Sequence, residues 1–129
     1  MNVPSELKYS KEHEWVRVEG NIATIGITDF AQGELGELVY VEVETVDETV
    51  AMDEVFGAVE AVKTTSDLFM PISGKITEFN PAIDESEGDD ATLINSDPYG
   101  EGWIIKVEIQ DMAELDGLMD AQAYTDLIS

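Results

Sequence analysis

The stretch Val55-Phe56-Gly57-Ala58-Val59-Glu60-Ala61-Val62-Lys63-Thr64-Thr65-Ser66-Asp67-Leu68-Phe69 decides the fold. Phe56, Ala58, Glu60 and Val62 alternate with Gly57, Val59 and Ala61, the period of a β-strand. Lys63 to Asp67 then carries no large apolar residue, and Leu68, Phe69, Met70 and Ile72 resume the apolar run. The pattern predicts a hairpin with a polar tip at Lys63. Gly74 resets the chain before a further strand, Lys75-Ile76-Thr77-Glu78-Phe79.

Strand patterns extend on both sides. Glu14-Trp15-Val16-Arg17-Val18 and Ile22-Ala23-Thr24-Ile25 form a second predicted hairpin, turned at Gly20-Asn21 by the positive φ that glycine and asparagine tolerate. Asp29 and Gln32 resemble a capping box, which places a short helix near residues 29–34, stopped by Gly33 and Gly36. In residues 36–46 Leu38, Tyr40 and Glu42 are expected on one face and Val39, Val41 and Val43 on the other. Glu44 to Glu54 is acidic and is expected to be a solvated connection anchored by Val50 and Val55. Pro81 to Asp90 reads as a loop with acids at Asp84, Glu85, Glu87, Asp89 and Asp90. Leu93-Ile94-Asn95 reads as a short strand entering a turn, and Trp103 to Ile109 as the last strong strand.

From about 111 to 128 the spacing turns helical. Asp111 and Glu114 suggest a capping box, and Leu115, Leu118 and Met119 an apolar face. Tyr124, Leu127 and Ile128 follow on a second short helix. Trp15 and Trp103 are expected in or near the core. These elements describe one mainly β domain over residues 1–129, a sandwich or barrel closed by C-terminal helices. The strand openings at Gly36 and Gly74 echo one another, as two similar halves would.

Composition narrows the function classes. The 129 residues carry 6 basic and 29 acidic side chains, a net charge of −23. Such a surface repels nucleic-acid phosphates and anionic lipid, and it favours a monomer. The absence of cysteine removes disulfides and thiolate metal sites, and the single histidine, His13, argues against a histidine metal site or a Ser/His triad. His13 is assigned no chemistry. No signal peptide or membrane span is read, which makes the cytoplasm the default for a bacterial chain and the mitochondrial matrix for a mature eukaryotic one. With so many acids, carboxylate pairs must arise by crowding, so their presence does not point to an enzyme.

Lys63 stands apart from this background. It is the only basic residue between Arg17 and Lys75, and it occupies the tip of the predicted hairpin. A catalytic lysine needs burial or a neighbouring cation to lose its proton. Lys63 has Glu60 and Asp67 as neighbours in sequence, which suits an attachment point that another enzyme can reach.

Gly57-Ala58-Val59-Glu60-Ala61-Val62-Lys63-Thr64-Thr65-Ser66-Asp67 resembles the lipoylation motif of the glycine cleavage system H protein family. The resemblance continues through Pro71-Ile72-Ser73-Gly74 to Asn80. It also covers His13-Glu14-Trp15-Val16, Ala23 to Asp29, Ala31-Gln32, Leu93-Ile94-Asn95 and Gly102-Trp103. It implies a barrel-sandwich hybrid fold of the lipoyl/biotinyl type, with lipoate bound covalently to Lys63. It also implies a non-catalytic carrier that takes an aminomethyl group from glycine decarboxylase (P protein) to the aminomethyltransferase (T protein). Electrons then pass to dihydrolipoamide dehydrogenase (L protein), and a lipoyl-attaching enzyme installs the arm.

By the same resemblance the loaded arm rests in a surface cleft, for which Glu14 and Asp67 are the candidate partners of its protonated amine. Glu12 stands where the family pattern has a small polar residue. Lacking cysteine, the chain offers no protein thiol to the reduced arm. A biotin carrier would flank the lysine with methionines, and an acyltransferase lipoyl domain would present Asp-Lys-Ala. Val62 and Thr64 match neither. A carrier that relays lipoyl groups to other proteins would present the same residues as the H protein.

Overall fold

The structure is a computed structural model that describes residues 2–84, 87–88 and 90–129. Among these residues nine strands form two antiparallel sheets. The larger sheet has six strands in the order β1 (Lys8–Tyr9), β2 (Glu14–Glu19), β3 (Ile22–Ile27), β9 (Ile105–Ile109), β8 (Gly74–Phe79) and β5 (Thr49–Val50). The smaller has three, with β6 (Val55–Ala61) between β4 (Leu38–Glu42) and β7 (Thr65–Phe69).

The two sheets face each other across one apolar layer. Val16, Ile25, Ile76 and Val107 of the larger sheet meet Leu38, Val41, Phe56, Val59 and Leu68 of the smaller, all buried. Met70, Ile72, Ile94 and Ile104 close the layer from the connections. Burial of this kind stabilises by about 1.5–3 kcal/mol for each large aliphatic or aromatic side chain.

Both predicted hairpins are present. The first turns through Gly20 at φ +65° and joins Glu19 to Ile22 in register. The second joins β6 to β7 and carries Lys63 at its tip. The strict alternation expected along β4 and β6 is broken by irregularities between Leu38 and Tyr40 and between Val55 and Gly57. Such a bulge shifts the pleat by one residue. Leu38 and Val41 therefore both point inward, while Val39 is exposed. Phe56 shares the core with Val59 and Ala61, and Val55 is exposed rather than an anchor; Val50 is buried as expected.

Among the described residues, three helices and one 3-10 segment accompany the sheets. Helix α1 (Asp29–Leu35) is capped by Thr28, whose Oγ1 accepts from Ala31 N at 3.2 Å. Asp29 belongs to the first turn instead, where its Oδ1 accepts from Gln32 Nε2 at 2.7 Å. Gly33 lies within the helix; Gly36, at φ +81°, ends it. Residues 93–95 lie on a helix, α2 (Thr92–Ser96), and not on a strand. Its five residues bury only Ile94, a pattern too short to show a helical period. Gly36 caps a helix whereas Gly74 opens strand β8, so the sequence echo joins two glycines with different local roles. Of the predicted acidic loop, Glu85, Ser86 and Asp89 lie outside the described residues.

At the C-terminal end the 3-10 segment Met112–Gly117 is capped by Asp111, whose Oδ1 accepts from Ala113 N at 3.0 Å. Glu114 does not return to the cap. Its carboxylate accepts from Ser73 N at 2.7 Å and from Ser73 Oγ at 3.0 Å. Helix α3 (Ala121–Ile128) buries Tyr124, which stacks on Tyr9 with centroids 4.7 Å apart. The Tyr124 hydroxyl lies 2.7 Å from Thr28 Oγ1 and 2.9 Å from His13 Nδ1. The last helix thus fastens both the cap of α1 and the turn before β2. Trp15 is fully buried and donates to the Pro98 carbonyl, while Trp103 is half-buried beneath the Lys106 ammonium.

Tyr124→Phe keeps the stacking and removes these hydroxyl contacts. It is expected to lower stability by about 1–2 kcal/mol, read as a lower urea midpoint with an unchanged m-value. An unchanged midpoint would show that the hydroxyl fastens nothing.

Candidate functional site

Lys63 sits at the tip of the β6–β7 hairpin and is exposed, as are Val62, Thr64 and Thr65 on either side. Two backbone hydrogen bonds hold the tip. Ala61 N donates to the Thr64 carbonyl at 2.7 Å, and Val62 N donates to the Glu37 carbonyl at 3.0 Å. The lysine stem leans on Gly36, where the position a Cβ would occupy lies 3.5 Å from Lys63 Cε.

Beside the hairpin lies a cleft of about 290 Å³. Helix α1 supplies one wall through Phe30, Ala31, Glu34 and Leu35. Strand β7 supplies another through Ser66, Asp67 and Leu68. Ile27 and Val59 also line it, together with Glu12, His13 and Glu14 of the β1–β2 turn. Glu14 and Asp67, far apart in sequence, therefore line the same cleft. Ser66 and Asp67 follow Lys63 by three and four residues, so the strand that leaves the lysine tip forms a wall of the cleft.

The two acids differ in setting. Asp67 is exposed. Glu14 is 2% exposed. It is aimed inward by the chain reversal before β2, where His13 adopts φ +71° and His13 N donates to the Ser10 carbonyl. Ser10 Oγ donates to Glu14 Oε1 at 2.5 Å, and Phe69 N donates to Oε2 at 3.4 Å. Burial raises the Glu14 carboxyl from its ordinary 4.5 to about 8; the Ser10 and Phe69 hydrogen bonds oppose the rise, and the Glu12 charge adds to it. Desolvation penalises the charged form of an acid, and here it outweighs two donors.

His13 packs on Phe30 with ring centroids 5.0 Å apart, and burial lowers its proton affinity below the ordinary 6.5. It lines the cleft as a wall held by Tyr124. Ser10, Phe30 and Glu34 were not among the residues singled out from sequence. Only the spacing of Ser10 four residues before Glu14 could have drawn attention to it. Among the described lining residues four are carboxylic acids (Glu12, Glu14, Glu34 and Asp67) and none is lysine or arginine. The apolar walls suit an aliphatic chain, and the acids suit a cation at its end.

The glycine cleavage H-protein family model matches residues 7–129. The chain belongs to the glycine cleavage H-protein family. It is 49% identical over 129 residues to the glycine cleavage system H protein of Bacteroides fragilis, covering 100% of this chain and 99% of that one. It is 57% identical over 123 residues to that of Symbiobacterium thermophilum, covering 95% and 93%. The crystal structure of a glycine cleavage system H protein from Mycobacterium marinum superposes with a TM-score of 0.84 at 38% identity, covering 96% of this chain and 97% of that one. The two-sheet architecture fits the barrel-sandwich lipoyl-domain fold of this family. The family is the lipoyl carrier of the glycine cleavage system, a non-catalytic subunit bearing lipoate covalently on a lysine and working with the P, T and L proteins. Among the described residues no helix is long and apolar enough to cross a membrane.

The raised Glu14 value has a consequence for stability. Between about pH 4.5 and 8 the folded chain holds a proton that the unfolded chain has lost. Glu14 therefore makes the fold less stable as pH rises through that window, by at most roughly 1.4 kcal/mol per pH unit. Glu14→Gln removes this slope. Urea melts at pH 5 and pH 8 should show the variant gaining on wild type at the higher pH, and a constant difference between the two would contradict a buried neutral Glu14.

Proposed function

We propose that Lys63 is the lipoyl attachment site of this carrier, and that the cleft lined by Glu14 and Asp67 shelters the loaded arm. Residues 1–129 act in this reading as one lipoyl-carrier domain, monomeric because of its charge. The bacterial relatives support a cytoplasmic setting. The observation that carries the reading is that one hairpin presents an exposed lysine at its tip and, through Ser66, Asp67 and Leu68, walls a cleft with apolar sides and four acids but no lysine or arginine among its described lining residues.

Once attached, the lipoyl group supplies the dithiol chemistry that carries the aminomethyl group; everything else falls to the chain. Lys63 offers its amine on an exposed turn outside the core, its stem against Gly36, where a lipoyl-attaching enzyme can reach it. Ile27, Leu35, Val59 and Leu68 offer aliphatic contact and exclude water from the cleft. Glu14, held neutral by burial, gives up its proton to solvent when a protonated amine enters beside it, because an opposite charge favours the carboxylate. Ser10 and Phe69 N–H keep that carboxylate in place. Asp67 acts from the mouth, where solvent weakens it.

Lys63→Arg keeps the positive charge but cannot form the lipoyl amide. The variant is expected to fold with an unchanged melting temperature and to show no glycine–bicarbonate exchange with the P protein. Exchange at wild-type level would reject the attachment site.

The cleft is tested separately by the release of formaldehyde and ammonia from purified loaded protein without T protein. Glu14→Ala should accelerate release about tenfold, the lower end for a charge-assisted hydrogen bond, and Asp67→Ala by a few-fold at most. Equal rates for both variants and wild type would reject the shelter and leave Lys63 untouched.

A further inference from the structure

The hairpin tip raises a mechanical question. Val62 is 73% exposed, and Lys63, Thr64 and Thr65 are exposed as well. No core packing fixes this turn, yet a modifying enzyme must meet the amine in a defined geometry. Beyond the turn's own Ala61–Thr64 bond, the backbone tie is the one from Val62 N to the Glu37 carbonyl.

That carbonyl belongs to the peptide unit joining Glu37 to Leu38. A peptide is planar, so whatever orients its N–H also orients its C=O. The N–H of this unit, Leu38 N, donates to Asn95 Oδ1 at 2.9 Å. The same side-chain amide donates through Nδ2 to the Gly36 carbonyl at 2.8 Å and to Gln32 Oε1 at 3.0 Å. Both Nδ2 protons are used, so the rotamer has one consistent assignment of oxygen and nitrogen. Gln32 is itself anchored to Asp29 on α1. Gly36, at φ +81° and ψ −159°, adopts a backbone that only glycine visits readily. It turns its carbonyl toward Asn95 and gives the lysine stem a surface without a side chain.

We propose that Asn95 is a positioning residue for modification of Lys63: its side-chain amide orients the Glu37–Leu38 peptide, whose carbonyl holds the backbone immediately before the lysine. The inference rests on Lys63 being the modified residue. A hydrogen-bonded relay runs from Asn95 Oδ1 through one peptide to Val62 N, and its members polarise one another. Removing Asn95 leaves the Leu38 N–H without its partner and lets the peptide rotate. The Val62 bond then loses its fixed acceptor, and the tip samples orientations that a modifying enzyme does not use.

The test is lipoylation of the full chain by a purified lipoate–protein ligase with lipoate and ATP, followed by intact mass. Asn95→Ala is expected to lower kcat/KM about tenfold, the scale of a small misplacement of a reacting group. Asn95→Asp keeps an acceptor for Leu38 N and loses both donors, so it should show a smaller loss, and it serves if the alanine variant does not fold. The control is Asn80→Ala. Asn80 is also a buried amide clamp, donating to the Glu101 and Trp103 carbonyls at 2.8 and 2.7 Å, and it has no bond to the tip. Its kcat/KM should stay within about twofold of wild type.

Hydrogen exchange supplies a second readout. The Val62 amide should exchange faster in Asn95→Ala, while the β6–β7 ladder amides keep their protection. Unchanged kcat/KM in both Asn95 variants, an equal loss in Asn80→Ala, or an unchanged Val62 amide overturns the positioning role. Failure of the wild-type chain to gain an adduct on Lys63 removes the attachment site itself, and the positioning role falls with it.

Discussion

A lysine that must be reached from solvent cannot be held by burial, and the backbone beneath it has to be held instead. The rest of the architecture depends on that constraint. Strand β6 is the centre of a three-stranded sheet whose inner face, through Phe56, Val59 and Ala61, is anchored in the core. Its last turn projects beyond the packing. Backbone bonds to Thr64 and Glu37 hold that projection, and they compete well with solvent only while their acceptors are themselves fixed. The junction between α1 and β4 supplies the fixed acceptor. The same α1 forms a wall of the cleft, so the lysine base and the cleft share one support.

Electrostatics divides the surface into two regimes. Most of the acidic residues that the structure describes face water, where salt screens them. Glu14 is the exception, because burial makes its charge costly and therefore sensitive to what lies beside it. While protonated, Glu14 places no uncompensated charge in the interior. In a chain of net charge −23, the repulsion from Glu12 pushes in the same direction as burial.

The strands were legible where one period governs them. Glu14–Glu19 and Ile22–Ile27 alternate or run apolar between clear turn residues, and both appear as read. Strands β4 and β6 were legible as strands but not in facing, because a bulge is set by the partner strand and leaves no mark on a period-two pattern. Helix α2 was missed because Leu93 and Ile94 in five residues look the same in either structure. Lys63 draws attention by its isolation and its motif, and the structure places it exposed at the tip of the hairpin read from the sequence. The joint lining of Glu14 and Asp67 followed from the family pattern, while the burial of Glu14 did not. It arises from Ser10, Phe69 and the β1–β2 turn, contacts that exist only once the end of β7 in one sheet meets the start of β2 in the other. Asn95 was legible as part of a motif and silent as to role, since its partners Gly36 and Leu38 are brought to it by the fold.

If one lysine, raised on a backbone-held turn, carries the arm, peptide mapping by mass spectrometry after lipoylation of the wild-type chain will find the lipoyl adduct on Lys63 and on no other lysine. An adduct on Lys8, Lys11, Lys75 or Lys106, with Lys63 unmodified, would contradict it.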